Sequence, residues 1–278
     1  MSSLRKQLLS ALSLLLAAGC TLKVEESALL HPDHDEALTA VALSRHVEAI
    51  SITQADGAVS RGLKVTRPDA VATVLYFGSN DFRIDLDGQK YVHYFAPLPV
   101  NVVLFDYRGY GRSDGKTSVT SVMADCLTIY DRVRAETKGS LILHGLSMGA
   151  FVTARLSAER PLDAVVIEGT GADFNTMARR QIPWYVAPFV KLDVSPSLLA
   201  IDPGADLRKS TAPTLMMTGD KDDEAPKIYA EGIYATLPPD RVHLLIVPGA
   251  VHRDSMAHPE AIAAYRQFLA GVTGERQF

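Results

Sequence analysis

The chain has 278 residues, 28 Lys and Arg against 32 Asp and Glu, and a net charge of −4. A mildly acidic chain with scattered basic residues has no electrostatic case for binding nucleic acid, and two cysteines cannot make a disulfide framework. The length suits one domain with a large core.

The N-terminus reads as a targeting segment rather than as part of the fold. Arg5 and Lys6 give a basic start, and 8–18 is an almost unbroken apolar run, too short to stay in a bilayer as a spanning helix. It ends in Leu16-Ala17-Ala18-Gly19-Cys20, small residues before a cysteine. This resembles the lipobox of bacterial lipoproteins, with Ala17 where leucine is commoner. The resemblance implies removal of 1–19 and acylation of Cys20, by palmitate among other chains. It also implies a lipid-anchored place in the bacterial cell envelope. Thr21, not aspartate, follows the cysteine, which points to the outer membrane, facing the periplasm. Residues 20–45 then read as a membrane tether with a short helix, and 46–278 as the folded domain. His31-Pro32-Asp33-His34 has metal-ligand residue types but no partner ligands at recognisable spacing, so no metal is expected. With Cys20 acylated, Cys126 has no disulfide partner, and its helical apolar setting makes it a core residue.

From residue 47 onward β and α patterns alternate. Strands are predicted at 47–53, 62–66, 71–77, 102–105, 141–144, 164–168, 214–218 and 243–247, and helices at 86–96, 119–135, 150–159, 225–237 and 259–272. The turn Ala55-Asp56-Gly57 makes the first two strands antiparallel. The later alternation requires right-handed crossovers and a parallel sheet, and the continuous apolar middle strands fit a sheet covered on both faces. The fold class is therefore α/β, with a mostly parallel eight-stranded sheet flanked by helices. The alternation breaks at 169–212, between the sixth and seventh strands. This stretch carries the only tryptophan and is expected to form a small cap over the sheet edge.

Gly145-Leu146-Ser147-Met148-Gly149 lies between a predicted strand and a predicted helix. A serine on so sharp a turn is strained, and its hydroxyl stands clear of the sheet beside the N–H groups of the new helix. Such a hydroxyl needs a base, and the base needs a carboxylate to hold it. After the seventh strand comes Gly219-Asp220-Lys221-Asp222-Asp223-Glu224-Ala225-Pro226. Asp222 is the expected acid, with Asp220 and Asp223 as near rivals and Glu168 as a distant one. After the last strand comes His252, the expected base; His258 is its main rival, and His144 and His243 lie within strands. The oxyanion donors are expected to be the N–H groups of Met148 and of Ser79, in the loop Phe77-Gly78-Ser79-Asn80-Asp81.

With Asp106-Tyr107-Arg108-Gly109-Tyr110-Gly111-Arg112-Ser113, which is similar to a D-x-R-G-x-G-x-S segment, these residues resemble an α/β-hydrolase fold serine hydrolase over 47–278. The acid loop matches G-x-x-D-x-x-x-P with its aspartate at Asp222, and His252 matches the late histidine. Phe77-Gly78 departs from the commoner His-Gly. The resemblance implies an acyl-enzyme on Ser147, a small-molecule acyl substrate and no cofactor. Within the same fold the alternatives are a peptidase, a thioesterase or C–C bond hydrolase, and a non-catalytic binding lipoprotein. A purely structural envelope lipoprotein is a more distant one.

Overall fold

The computed structural model describes residues 20–33 and 46–274. The predicted leader, 1–19, lies outside the described residues. The main sheet starts with β2 (His46–Thr53) and β3 (Val59–Thr66), an antiparallel pair joined through the turn at Asp56-Gly57. It continues with β4 (Ala72–Phe77), β5 (Val100–Phe105), β6 (Ser140–Leu146), β7 (Ala164–Glu168), β9 (Thr214–Gly219) and β10 (Val242–Val247). In space the order is β10-β9-β7-β6-β4-β5-β3-β2, and every neighbouring pair from β5 through to β10 is parallel. The chain order reverses direction around β4, β5 and β6. That leaves a crevice at the carboxyl ends of the strands, where open α/β sheets bind ligands.

Strands β4 and β7 are buried at every position, which is why their sequences are apolar without alternation. Helices α1 (Ile84–Tyr94) and α8 (Pro259–Thr273) cover one face, burying Tyr91, Val92, Tyr265 and Leu269. Helices α2 (Val119–Glu136) and α3 (Met148–Glu159) cover the other, with Ile129, Phe151 and Leu156 in its core. Ser118 caps α2 by accepting from Ser121 N, while Ser121 Oγ accepts from Ser118 N. Cys126 is buried in α2 as a free thiol, and burial pushes its pKa well up. That makes it a packing residue rather than a reactive one.

Two stretches differ from the sequence reading. The first is the expected tether, 20–45. Its described part is docked on the domain: β1 (Cys20–Val24) pairs in parallel with β8 (Val190–Val194), and Leu29 and Leu30 are buried in the core beside α2. Glu26 Oε2 accepts from Val119 N, at the start of α2. The His31 N–H donates to Tyr110 Oη, and Asp33 pairs with Arg83 at 2.7 Å. Two buried leucines and a carboxylate bonded to the start of α2 hold these residues where a free linker would carry neither. Residues 34–45 of the predicted tether lie outside the described residues.

The second is the stretch 169–212, which is not a single cap. Helix α4 (Phe174–Arg180), β8 and α5 (Pro196–Leu199) make a small layer with β1. Helix α6 (Pro203–Lys209) instead packs on α3, with Leu207 against the core that includes Ala150 and Ala154, and Asp206 pairs with Arg155 at 3.2 Å. It is one of the sheet's flanking helices. Helix α7 (Ile228–Tyr234) is shorter at both ends than the predicted 225–237.

Candidate active site

Ser147 stands at the turn from β6 to α3 with φ 56° and ψ −113°, the one non-glycine residue with positive φ among the described residues. Two close approaches create that strain. A Cβ on Gly145 would lie 2.0 Å from Gly149 O, and one on Gly149 would lie 2.0 Å from Phe77 O. Only glycine lets strand and helix come this near to each other and to β4. The turn is fastened by Ser147 N donating to Glu168 O at 2.9 Å and by Gly149 N donating to Gly78 O at 3.0 Å.

Asp222 and His252 meet. His252 Nδ1 lies 2.8 Å from Asp222 Oδ2, and the other carboxylate oxygen accepts from Ala225 N at 2.7 Å. Both residues are buried. With each carboxylate oxygen engaged, Asp222 cannot rotate, so it holds the ring with its proton on Nδ1 and leaves Nε2 to accept. The imidazole rests against Gly169: a Cβ there would be 3.2 Å from both His252 Cε1 and Nδ1. Gly169 directly follows the carbonyl that accepts from Ser147 N, so the imidazole sits beside the serine turn.

The rivals are engaged elsewhere. Asp220 accepts from Gly249 N at 2.7 Å, and Asp223 is exposed. Glu168 lies 3.0 Å from His144 Nε2, deep in the sheet. His243 is exposed on β10, and His258 stands 3.9 Å from Asp254 at the start of α8. Glu224, exposed, lies 3.9 Å from His252 Nε2.

The second loop at the site is 78–82. Ser79 is buried, its hydroxyl donates to Asp81 at 2.7 Å, and no described residue accepts from its N–H. Gly78 O accepts from both Gly149 N and Tyr107 Oη, which fixes this loop to the N-terminus of α3, where Met148 lies. Arg253, next to His252, donates to both oxygens of Asp81 at 2.7 and 2.6 Å, tying the histidine loop to the Ser79 loop. Burial pushes the Asp81 carboxyl up, but hydrogen bonds from Arg253 and Ser79 outweigh it and leave the pKa below the usual value. Arg253 and Tyr107 hold these loops in place, a role that the sequence reading gave to neither. Tyr107 sits in the D-x-R-G-x-G-x-S segment, which could have flagged it. Nothing local marks Arg253, whose partner is 172 residues away.

That segment braces the site from below. Asp106 accepts from Ile84 N at 2.8 Å and Arg112 N at 3.2 Å, Ser113 Oγ donates to Asp106 O, and Arg108 forks onto Asp125. Of the metal-ligand types noted at 31–34, His31 Nδ1 lies 3.2 Å from Asn80 Nδ2 and Asp33 pairs with Arg83.

Residues 88–197 match the family model described as serine aminopeptidase, S33. An uncharacterized protein of Mycobacterium tuberculosis is 28% identical over 160 residues, 56% of this chain and 54% of that protein. The alpha/beta hydrolase domain-containing protein aho-3 of Caenorhabditis elegans is 28% identical over 175 residues, 62% of this chain and 49% of its own length. The chain thus spans about half the length of these curated relatives. A solved esterase of Pyrococcus furiosus superposes with a TM-score of 0.69 at 20% identity, over 87% of this chain and 97% of that one. The sheet order and this superposition give the chain an α/β-hydrolase fold.

Proposed function

We propose that the protein is a serine hydrolase that cleaves an ester through an acyl-enzyme on Ser147. The observation that carries this reading is the buried Asp222–His252 pair, 2.8 Å apart, lying against Gly169 beside a strained serine. In the first step Nε2 of His252 takes the Ser147 proton as Oγ bonds to the carbonyl carbon. The negative charge moves onto the carbonyl oxygen, facing the N–H groups of Met148 and Ser79. The C–O bond to the leaving group then breaks, and His252 returns its proton to the departing alcohol. Water repeats the sequence on the acyl-enzyme, releasing the acid and restoring Ser147. The buried Asp222 carboxylate stabilises the imidazolium at each stage. A neutral imidazole is required at the outset, so activity falls in acid.

Ser147→Ala is expected to abolish labelling by a fluorophosphonate probe and to cut turnover of short p-nitrophenyl esters by on the order of 10⁶-fold. Undiminished labelling of that variant would overturn the assignment. A second reading, hydrolysis of an amide at a peptide N-terminus, is favoured by the serine aminopeptidase model over 88–197. Relative rates on aminoacyl anilides and acyl esters separate the two. The Cys20 sequence further supports a lipid-anchored protein of the bacterial outer membrane.

A further inference from the structure

Trp184 is 85% exposed, Tyr185 62% and Phe189 46%, unusual exposure for three large aromatics in six residues. The Trp184 and Tyr185 rings meet edge to face, 5.9 Å apart, so the two form one projecting tip. The stretch from Asp173 to Asp193 holds Arg179, Arg180 and Lys191 and no acidic residue between its ends. Arg180 also lies over the Tyr229 ring, 5.5 Å from its centre. An aromatic tip on a segment whose only charges between residues 173 and 193 are positive suits the boundary between headgroups and acyl chains of an anionic bilayer. There the rings sit at headgroup depth and the cations meet lipid phosphates.

The strand register supplies the second observation. Val190, directly after Phe189, is the parallel partner of Cys20, and adjacent strands run about 4.8 Å apart. The residue read as the lipid attachment point is therefore fixed beside the base of the aromatic tip. An acyl chain there and the tip would enter the same membrane.

We propose that the 182–189 tip is a membrane-docking surface that inserts into the anionic bilayer to which Cys20 is anchored. This rests in part on the lipoprotein reading of Cys20. Trp184 is the only tryptophan, so its emission reports on the tip alone. The full-length protein, processed in its host, would be added to vesicles of phosphatidylethanolamine and phosphatidylglycerol, with plain or brominated acyl chains. Trp184 emission is expected to lose about half its intensity on brominated lipid, and the Tyr185→Ser/Phe189→Ser variant to lose much less. Equal emission on plain and brominated vesicles, or full quenching in the double variant, would overturn the surface. Metabolic labelling with an alkynyl palmitate, with Cys20→Ser as control, reads the anchor separately. Label without quenching removes the docking surface and leaves the anchor; quenching without label does the reverse.

Discussion

Asp106 is a carboxylate that the fold holds nearly dry beneath the site. Burial is the largest influence and pushes its pKa up to about 6, against the opposing pull of the Ile84 and Arg112 N–H groups. In the unfolded chain the same group gives up its proton near the ordinary aspartate value of about 3.9. Between the two values the folded protein binds more protons, so this contribution to stability is full below about pH 4 and is lost as pH rises through about 6. The amide introduced by Asp106→Asn would not titrate. The stability of the wild type relative to Asp106→Asn should therefore fall by up to about 3 kcal/mol from pH 4 to pH 7, read by urea unfolding at both ends. A constant difference would mean that this carboxyl titrates normally. Residues of the candidate site differed in how far the sequence disclosed their placement. Ser147 was legible because its constraint is local: two glycines, a strand and a helix within a few positions. Asp222 had two neighbours of the same chemistry, and only the direction of each carboxylate separates them. Asp222 turns to His252 while Asp220 takes the Gly249 N–H. Arg253 gave no signal, because its role depends on Asp81 in a loop brought near by folding.

At the scale of elements, the close approach of β4, β6 and α3 determines where the serine sits. A methyl group on Gly149 would meet the Phe77 carbonyl oxygen at 2.0 Å, backbone against backbone, which neither strand nor helix can relieve cheaply. Gly149→Ala should cost about 3 kcal/mol or more, lower the melting temperature and move Ser147. Gly232, in α7, is the control: nothing lies within 4 Å of a Cβ there. Gly232→Ala should stabilise by up to about 1 kcal/mol through helix propensity alone. Thermal melts of the two variants check both signs, and similar melts would show that the turn has slack. Every main-sheet strand was foreshadowed in the sequence: the parallel ones as apolar runs between turn residues, and β2 and β3 as alternating strands on either side of the turn at Asp56-Gly57. Their ends were less legible. β3 begins at Val59 rather than 62, extended by pairing with β2 through Thr53 and Val59, a contact that local composition does not encode.

For the whole molecule, the segment read as a tether bears on stability. Leu30 is 7% exposed and belongs to the core with α2. Leu30→Ala should cost about 2–5 kcal/mol in urea unfolding, whereas a solvated linker residue would cost nearly nothing. Composition misled here because short strands and a single helical turn have no period to detect, and their apolar partners, such as Leu192, lie far along the chain. The same holds for α6, which lies within the expected cap in sequence but whose Leu207 joins the core of Ala150 and Ala154. The succession of strand and helix patterns by itself determined the sheet class, and the glycine spacing around Ser147 the serine turn, because both follow from residue spacing along the chain; the order of the candidate triad came with the family resemblance. Which aspartate faces the histidine, what braces the Ser79 loop, and that the N-terminal strand joins the layer beside the aromatic tip were decided only by tertiary structure. Each depends on a contact between residues whose separation in sequence carries no information about their distance in space.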